Sequence, residues 1–195
     1  MYVLGTVGLP GSGKGEFADV ARNAGVPVVT MGDVIRQACR DRGRDPAEAH
    51  GEVAKALRDE HGPAAIAEQS LPHIRDHLAD DDTDTVVVDG LRSMVEVDAF
   101  TDEFGDAFAI VSIEAPFDLR EGRLGERGRD GTDTDLEALR ERDERELGFG
   151  MGDVMESADY QIDNTGTLEQ FRAQARDLLD IDAEPHDGGP HFDDL

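Results

Sequence analysis

Residues Gly8 to Gly15 read GLPGSGKG, and this stretch constrains the fold more than any other part of the chain. Before it, Tyr2 to Val7 is a short apolar run that reads as one buried strand. After it, Glu16 to Ala24 continues as a helix with Phe17, Val20 and Ala21 on one face. The stretch fits the first seven positions of G-x-x-x-x-G-K-[ST], and a strand before it and a helix behind it give that pattern its meaning. Glycines admit backbone angles and close approaches that a side chain blocks. The loop amides and the positive end of the helix can then face a phosphate. The candidate phosphate-binding residues are Gly8, Leu9, Pro10, Gly11, Ser12, Gly13, Lys14 and Gly15. Lys14 is also a catalytic candidate, because an ammonium group there neutralises charge that shifts during phosphoryl transfer.

The eighth position departs from the pattern. Gly15 has no hydroxyl, and neither does Glu16 after it. The usual direct Mg²⁺ ligand is therefore missing, and the ion is expected to be held by water and by Asp89. Whether Glu16 assists through water is left open by the sequence.

Further along, apolar and amphipathic runs alternate. Strands are expected at Val26–Thr30, Thr85–Val88, Ala107–Ile113 and Tyr160–Ile162. Helices are expected at Val34–Arg40, Ala47–His61, Ala64–Leu78, Ser93–Phe104, Pro116–Glu126, Leu136–Leu147 and Leu168–Leu179. Ser93 with Glu96 has capping-box spacing. This alternation predicts an α/β fold of three layers: a five-stranded parallel sheet flanked by helices. In such sheets ligands bind beyond the carboxyl ends of the strands. The distinctive residues fall there: the glycine-rich loop, Gly32 to Arg36, and Asp89 to Arg92. One domain is expected over 1–180, with a helical acceptor region over about 31–80 and an arginine-rich lid over about 120–147. Residues 181–195 read as a disordered acidic tail.

Composition narrows the partners. Asp and Glu number 45 against 19 Lys and Arg, for a net charge of −26. A surface of this kind repels nucleic acid and anionic lipid. Only Lys14 and Lys55 are lysines, and the acidic excess is dispersed. That pattern suits a cytoplasm of very high salt, where repulsion is screened, and suggests a halophilic archaeon; an ordinary acidic protein has the same arithmetic. No apolar run has membrane-spanning length, and the first residues lack a basic and apolar leader pattern. Cys39 is the only cysteine, so it reads as a small buried residue in a chain without internal disulfides. These features predict a cytoplasmic protein and leave a homodimer open.

Other motifs extend the first. The loop resembles that of adenylate kinases, which also carry Gly after the lysine, though Thr usually follows where this chain has Glu16. Met31-Gly32-Asp33-Val34-Ile35-Arg36 resembles their acceptor segment G-D-x-x-R. Val88-Asp89-Gly90-Leu91-Arg92 resembles their D-G-x-x-R motif, without its Pro. Ala158 to Gly166 is similar to the A-D-x-x-I-x-N-x-G ending of dephospho-CoA kinases. Taken in order, the motifs look closest to an archaeal family of dephospho-CoA-kinase-like proteins, over Tyr2 to Leu179. The resemblance implies a kinase that uses ATP and Mg²⁺ on a small acceptor, with Asn164 and Gly166 beside the adenine. Taken alone, N-x-G is just a turn.

The residues themselves agree with this reading. Arg36 and Arg92 are candidate acceptor ligands, since guanidinium forks match phosphate; a surface ion pair is the plainer reading of each. Asp89 would hold the metal through water or cap the next turn. Asp33 would orient or deprotonate an acceptor hydroxyl, or cap its helix. Arg120, Arg123 and Arg127 share a helical face, Arg129 follows, and Arg140, Arg142 and Arg145 lie on the next helix. Arg123, Arg127 and Arg142 are the catalytic candidates among them, closing over the transferring group and excluding water. Glu137, Glu141, Glu144 and Glu146 could instead pair with these arginines as an ordinary charged helix. His73 and His77 have metal-compatible spacing but no third ligand, so they read as solvated.

Overall fold

The computed structural model describes residues 1–127 and 136–179. They form five strands, β1 (Tyr2–Val7), β2 (Val28–Thr30), β3 (Thr85–Asp89), β4 (Phe108–Glu114) and β5 (Tyr160–Asp163). All pairs are parallel, in the order β2-β3-β1-β4-β5. The helices are α1 (Lys14–Asn23), α2 (Met31–Asp41), α3 (Pro46–His61), α4 (Ala65–Leu78), α5 (Met94–Phe104), α6 (Phe117–Arg127), α7 (Leu136–Gly148), α8 (Met151–Glu156) and α9 (Leu168–Leu178), with a short 3₁₀ turn at Gly105–Ala107. Among the described residues no helix is long and apolar enough to cross a membrane.

The sheet is covered on both faces, which is why its strands read as continuous apolar runs. Val86 and Val88 face one core with Val3, Val7, Ile66, Ile74, Phe100 and Val154. Val87 faces the other with Leu4, Phe17, Val111, Ile113 and Phe171. Phe17 of α1 and Phe171 of α9 are fully buried there, each stabilising by about 1.5–3 kcal/mol. Cys39 is buried, as its composition context implied.

Three local differences from the sequence reading have physical causes. β2 runs straight into α2, with extended Thr30 in the N-cap position, so Gly32, Asp33 and Arg36 occupy the first turns of a helix and Asp33 is not its cap. At α5 the capping box does not form. Ser93 makes no side-chain cap bond, and the Glu96 carboxylate instead accepts from the Arg92 backbone N–H at 2.8 Å. The box that does form is Thr167 with Gln170 at the start of α9. Helix α8 was not expected; it is only six residues long and begins after Gly150 in the left-handed region, φ 95°. Arg129 and the 181–195 tail lie outside the described residues, as does the side chain of Arg127.

Candidate functional site

The loop joining β1 to α1 is held from three sides. Arg120 of α6 donates to the Pro10 carbonyl at 3.0 Å. Asn164, just after β5, donates through Nδ2 to the Ser12 carbonyl at 2.7 Å. Within the loop, Ser12 N–H donates to Leu9 O at 3.1 Å. Two glycines are required by these contacts. A Cβ on Gly8 would lie 2.4 Å from the Ile113 carbonyl, and one on Gly13 would lie 2.4 Å from Asn164 Nδ2, with φ +154° and +123°. Gly15 is different, because nothing lies within 4 Å of where its Cβ would be. The missing hydroxyl is therefore not excluded by crowding.

Lys14 opens α1 and its ammonium group donates to the Gly8 and Leu9 carbonyls. Burial lowers its pKa from 10.5 to about 8; Arg92 and Arg142 push the same way, while Asp89 and Glu146 oppose them. Four charged groups from the β3 end, the following turn and α7 thus act on one amine. Asp89 accepts from the buried Thr6 hydroxyl at 3.0 Å, and the Gly90 and Leu91 amides donate to the Thr6 carbonyl. Those bonds fix the turn that aims Arg92.

Arg92 is held at two points. Its backbone bonds to Glu96, and its guanidinium lies 3.3 Å from Glu146 Oε1. Burial raises the pKa of Glu96, against the Arg92 N–H and the Arg58 guanidinium 3.3 Å away. Arg36 and Asp33 pair with each other at 2.7 Å on the exposed start of α2. They join the rest of the site through His50 of α3. Burial lowers the His50 pKa, Arg92 and Arg36 lower it further, and a bond to the Gly32 backbone opposes them. The sequence reading passed over His50, which has no motif around it; only its position on the helix facing Gly32 marks it.

Arg123 donates to both the carbonyl and the side-chain oxygen of Asn164, at 2.8 and 3.2 Å. Gly166 lies beyond Asn164, packed on Gln170 of the α9 cap. Arg120 is 4% exposed and grips both oxygens of Asp143 on α7, at 2.9 and 2.6 Å. Pairing within an ordinary charged helix was one reading of Arg120 and Glu146, and Asp143 has no motif around it; the structure buries all three. Arg142 is exposed on α7. A cleft of about 410 Å³ lies beside the loop, at the ends of β4 and β5. Glu114 and Asp163 line it, which disfavours a phosphate there and leaves the Lys14 side for anions. His73 and His77 are exposed, and among the described residues no cluster of three metal-ligating side chains exists.

Glu16 has a plain structural role. Its carboxylate pairs with Arg172 of α9 at 2.6 Å, tying α1 to α9. Glu16→Gln is expected to lower stability by less than about 1 kcal/mol, as half-exposed pairs do, and to leave divalent-metal demand unchanged. A tenfold rise in the Mn²⁺ needed for nucleotide binding would assign Glu16 to the metal instead.

Comparison with known proteins agrees with this geometry. A family model described as an AAA domain matches residues 7–140. A UPF0200 protein of Halobacterium salinarum is 59% identical over 186 residues, covering 95% of this chain and 96% of its own. A UPF0200 protein of Methanosarcina mazei is 42% identical, covering 92% and 94%. Among solved structures, TT1252 from Thermus thermophilus aligns with TM-score 0.63 at 19% identity, covering 92% of this chain and 97% of its own. Shikimate kinase from Acinetobacter baumannii aligns with TM-score 0.53 at 14% identity, covering 93% and 92%. Both show the same fold, a parallel sheet flanked by helices. The chain belongs to the UPF0200 family, archaeal proteins with an AAA-type, P-loop kinase-like nucleotide-binding fold.

Proposed function

We propose that this protein transfers the terminal phosphoryl group of ATP to a small acceptor that itself carries a phosphate, such as a nucleoside monophosphate or dephospho-CoA, in the cytoplasm. The observation that carries this reading is the setting of Lys14. A half-buried ammonium sits at the mouth of a clamped glycine loop, its pKa lowered by desolvation, with Asp89 and Glu146 acting against Arg92 and Arg142 around it. Three cations, Lys14, Arg92 and Arg142, stand against two carboxylates here, and phosphate oxygens would complete the compensation.

In this reading the loop amides and Lys14 hold the triphosphate, and Arg123 with Asn164 borders the base. Arg36, Arg92 and His50 form the acceptor's anion seat. Asp33 is the candidate for orienting the acceptor hydroxyl, its carboxylate turned by Arg36. Arg142 and Arg127 are the candidates for closing over the transferring group. Catalysis is then positioning and charge neutralisation, with little covalent chemistry for the protein to perform. Mg²⁺ fits the residues present: Asp89 is a carboxylate at the strand end beside Lys14, and when bound the ion neutralises phosphate charge. Gly15 supplies no hydroxyl and Glu16 is engaged by Arg172.

The test is an acceptor screen in high-salt buffer. Purified protein and Mg-ATP are combined with monophosphates, dephospho-CoA and other phosphorylated metabolites, and ADP and product mass are followed. ADP formed only with an acceptor supports the kinase. ADP formed at one rate regardless of acceptor overturns it in favour of an ATPase switch acting on a protein or RNA partner.

The Lys14 pKa gives the affinity for ATP a pH signature. Below pH 8 the amine already carries its proton, so affinity is flat. Phosphates raise its pKa in the complex, so above pH 8 each binding event must take up a proton. Affinity then falls by up to about tenfold per pH unit. Calorimetry in buffers of different ionisation heat should show that proton uptake near pH 8.5–9. Equal affinity from pH 7 to 9.5 would place the phosphates elsewhere.

A further inference from the structure

Two carboxylates on the inner face of α7 behave differently. Asp143 has both oxygens engaged by the Arg120 fork. Glu146, one turn later, is equally buried at 7% exposure. One of its oxygens lies 3.3 Å from Arg92. The other, Oε2, is buried without a hydrogen-bond partner. A buried carboxylate oxygen left in this way is costly. Asp143 meets the Arg120 fork with both oxygens, whereas Glu146 meets Arg92 with one and keeps Oε2 for another ligand. The charge of Glu146 also acts on Lys14, from a different element than Asp89 does.

The loop, for its part, lacks an oxygen. Gly15 leaves open space where a hydroxyl ligand would stand, and Glu16 is turned to Arg172. Magnesium bound with a nucleotide typically takes one or two carboxylates, waters and phosphate oxygens. We propose that Glu146 and Asp89 together form the seat for the divalent ion that accompanies the nucleotide, with Glu146 Oε2 supplying from α7 a protein oxygen that position 15 lacks. This rests on the reading of the site as a nucleotide-phosphate site. It assigns an ion-holding role to a residue of the arginine-rich helix, so the metal and α7 bind the loop together.

The probe is Mn²⁺, followed by electron paramagnetic resonance of the full chain in high-salt buffer, with and without ADP. Glu146→Gln keeps the shape and removes the charge. It is expected to weaken Mn²⁺ binding to the protein–ADP complex by about tenfold or more, while ADP affinity in EDTA does not fall. Mn²⁺ affinity within twofold of the native chain overturns the proposal. So does an equal loss of ADP affinity in EDTA, which would make Glu146 a support of the loop. If Glu146→Gln does not fold by circular dichroism, Glu146→Asp decides. It retains charge with a shorter reach, so weakened Mn²⁺ binding supports the seat and unchanged binding overturns it. A native chain that binds no ADP, with metal or without, overturns the phosphate-site reading itself and this inference with it.

Discussion

Lys14→Ala should lower kcat/KM for acceptor-dependent ADP formation by at least about 10³-fold, the scale of losing a preorganised cation at a transferring phosphoryl group. The same change should not destabilise the protein. Burial holds the Lys14 pKa near 8 instead of 10.5, so keeping it charged costs the native state on the order of 3 kcal/mol at neutral pH. Alanine removes that cost. The sign follows from proton counting. Between pH 8 and 10.5 the unfolded chain binds more protons than the folded one, so native stability rises with pH across that window. The variant should therefore melt at or above the native temperature at pH 7, and the gap should narrow as pH rises toward 10.5. An inactive variant that melts higher separates chemistry from folding. A variant retaining a tenth of native turnover would show that the amine is not at the reacting phosphate.

Asp143→Ala should have the largest effect on stability. It removes the carboxylate that takes two bonds from a guanidinium that is 4% exposed. Removing one member of a buried pair costs about 3–5 kcal/mol, because the other charge stays buried alone. For a chain of this size that lowers Tm by roughly 6–20 °C. Arg120 also anchors Pro10 and the Ala115 carbonyl, so nucleotide affinity should fall with stability. Removing the exposed Lys55–Asp59 pair is the control and should change little. A loss at Asp143 no greater than at that surface pair would mean that Arg120 finds water instead.

How far the sequence led can be judged from two stretches. The glycine loop, Asp89 and Arg92 were legible because backbone demands and strand ends leave marks: glycines where a Cβ would strike Ile113 or Asn164, and a carboxylate where an apolar run stops. The sheet was legible for the same reason, since a strand buried on both faces shows as an apolar run. Helix α7 was harder. Its buried positions, Leu139, Asp143 and Glu146, follow helical spacing, but two of the three are acidic among many other acids. Hydrophobic periodicity does not see an inward carboxylate. Only the partners, Arg120 on α6 and Arg92 after β3, distinguish those two from Glu137, Glu141 and Glu144, and those partners are brought near by tertiary structure. His50 escaped for the same reason, and the Glu96 bond to Arg92 differs from its expected box by a single residue.

Helix α7 has a consequence beyond either of its contacts. Through Asp143 it holds Arg120, which bonds to the loop at Pro10, and through Glu146 it holds Arg92, the arginine proposed for the acceptor. A ligand that strains one contact does work on the other, and thermodynamic reciprocity makes the exchange equal in both directions. On the proposed function, nucleotide and acceptor would then influence each other's binding through one shared helix, without touching.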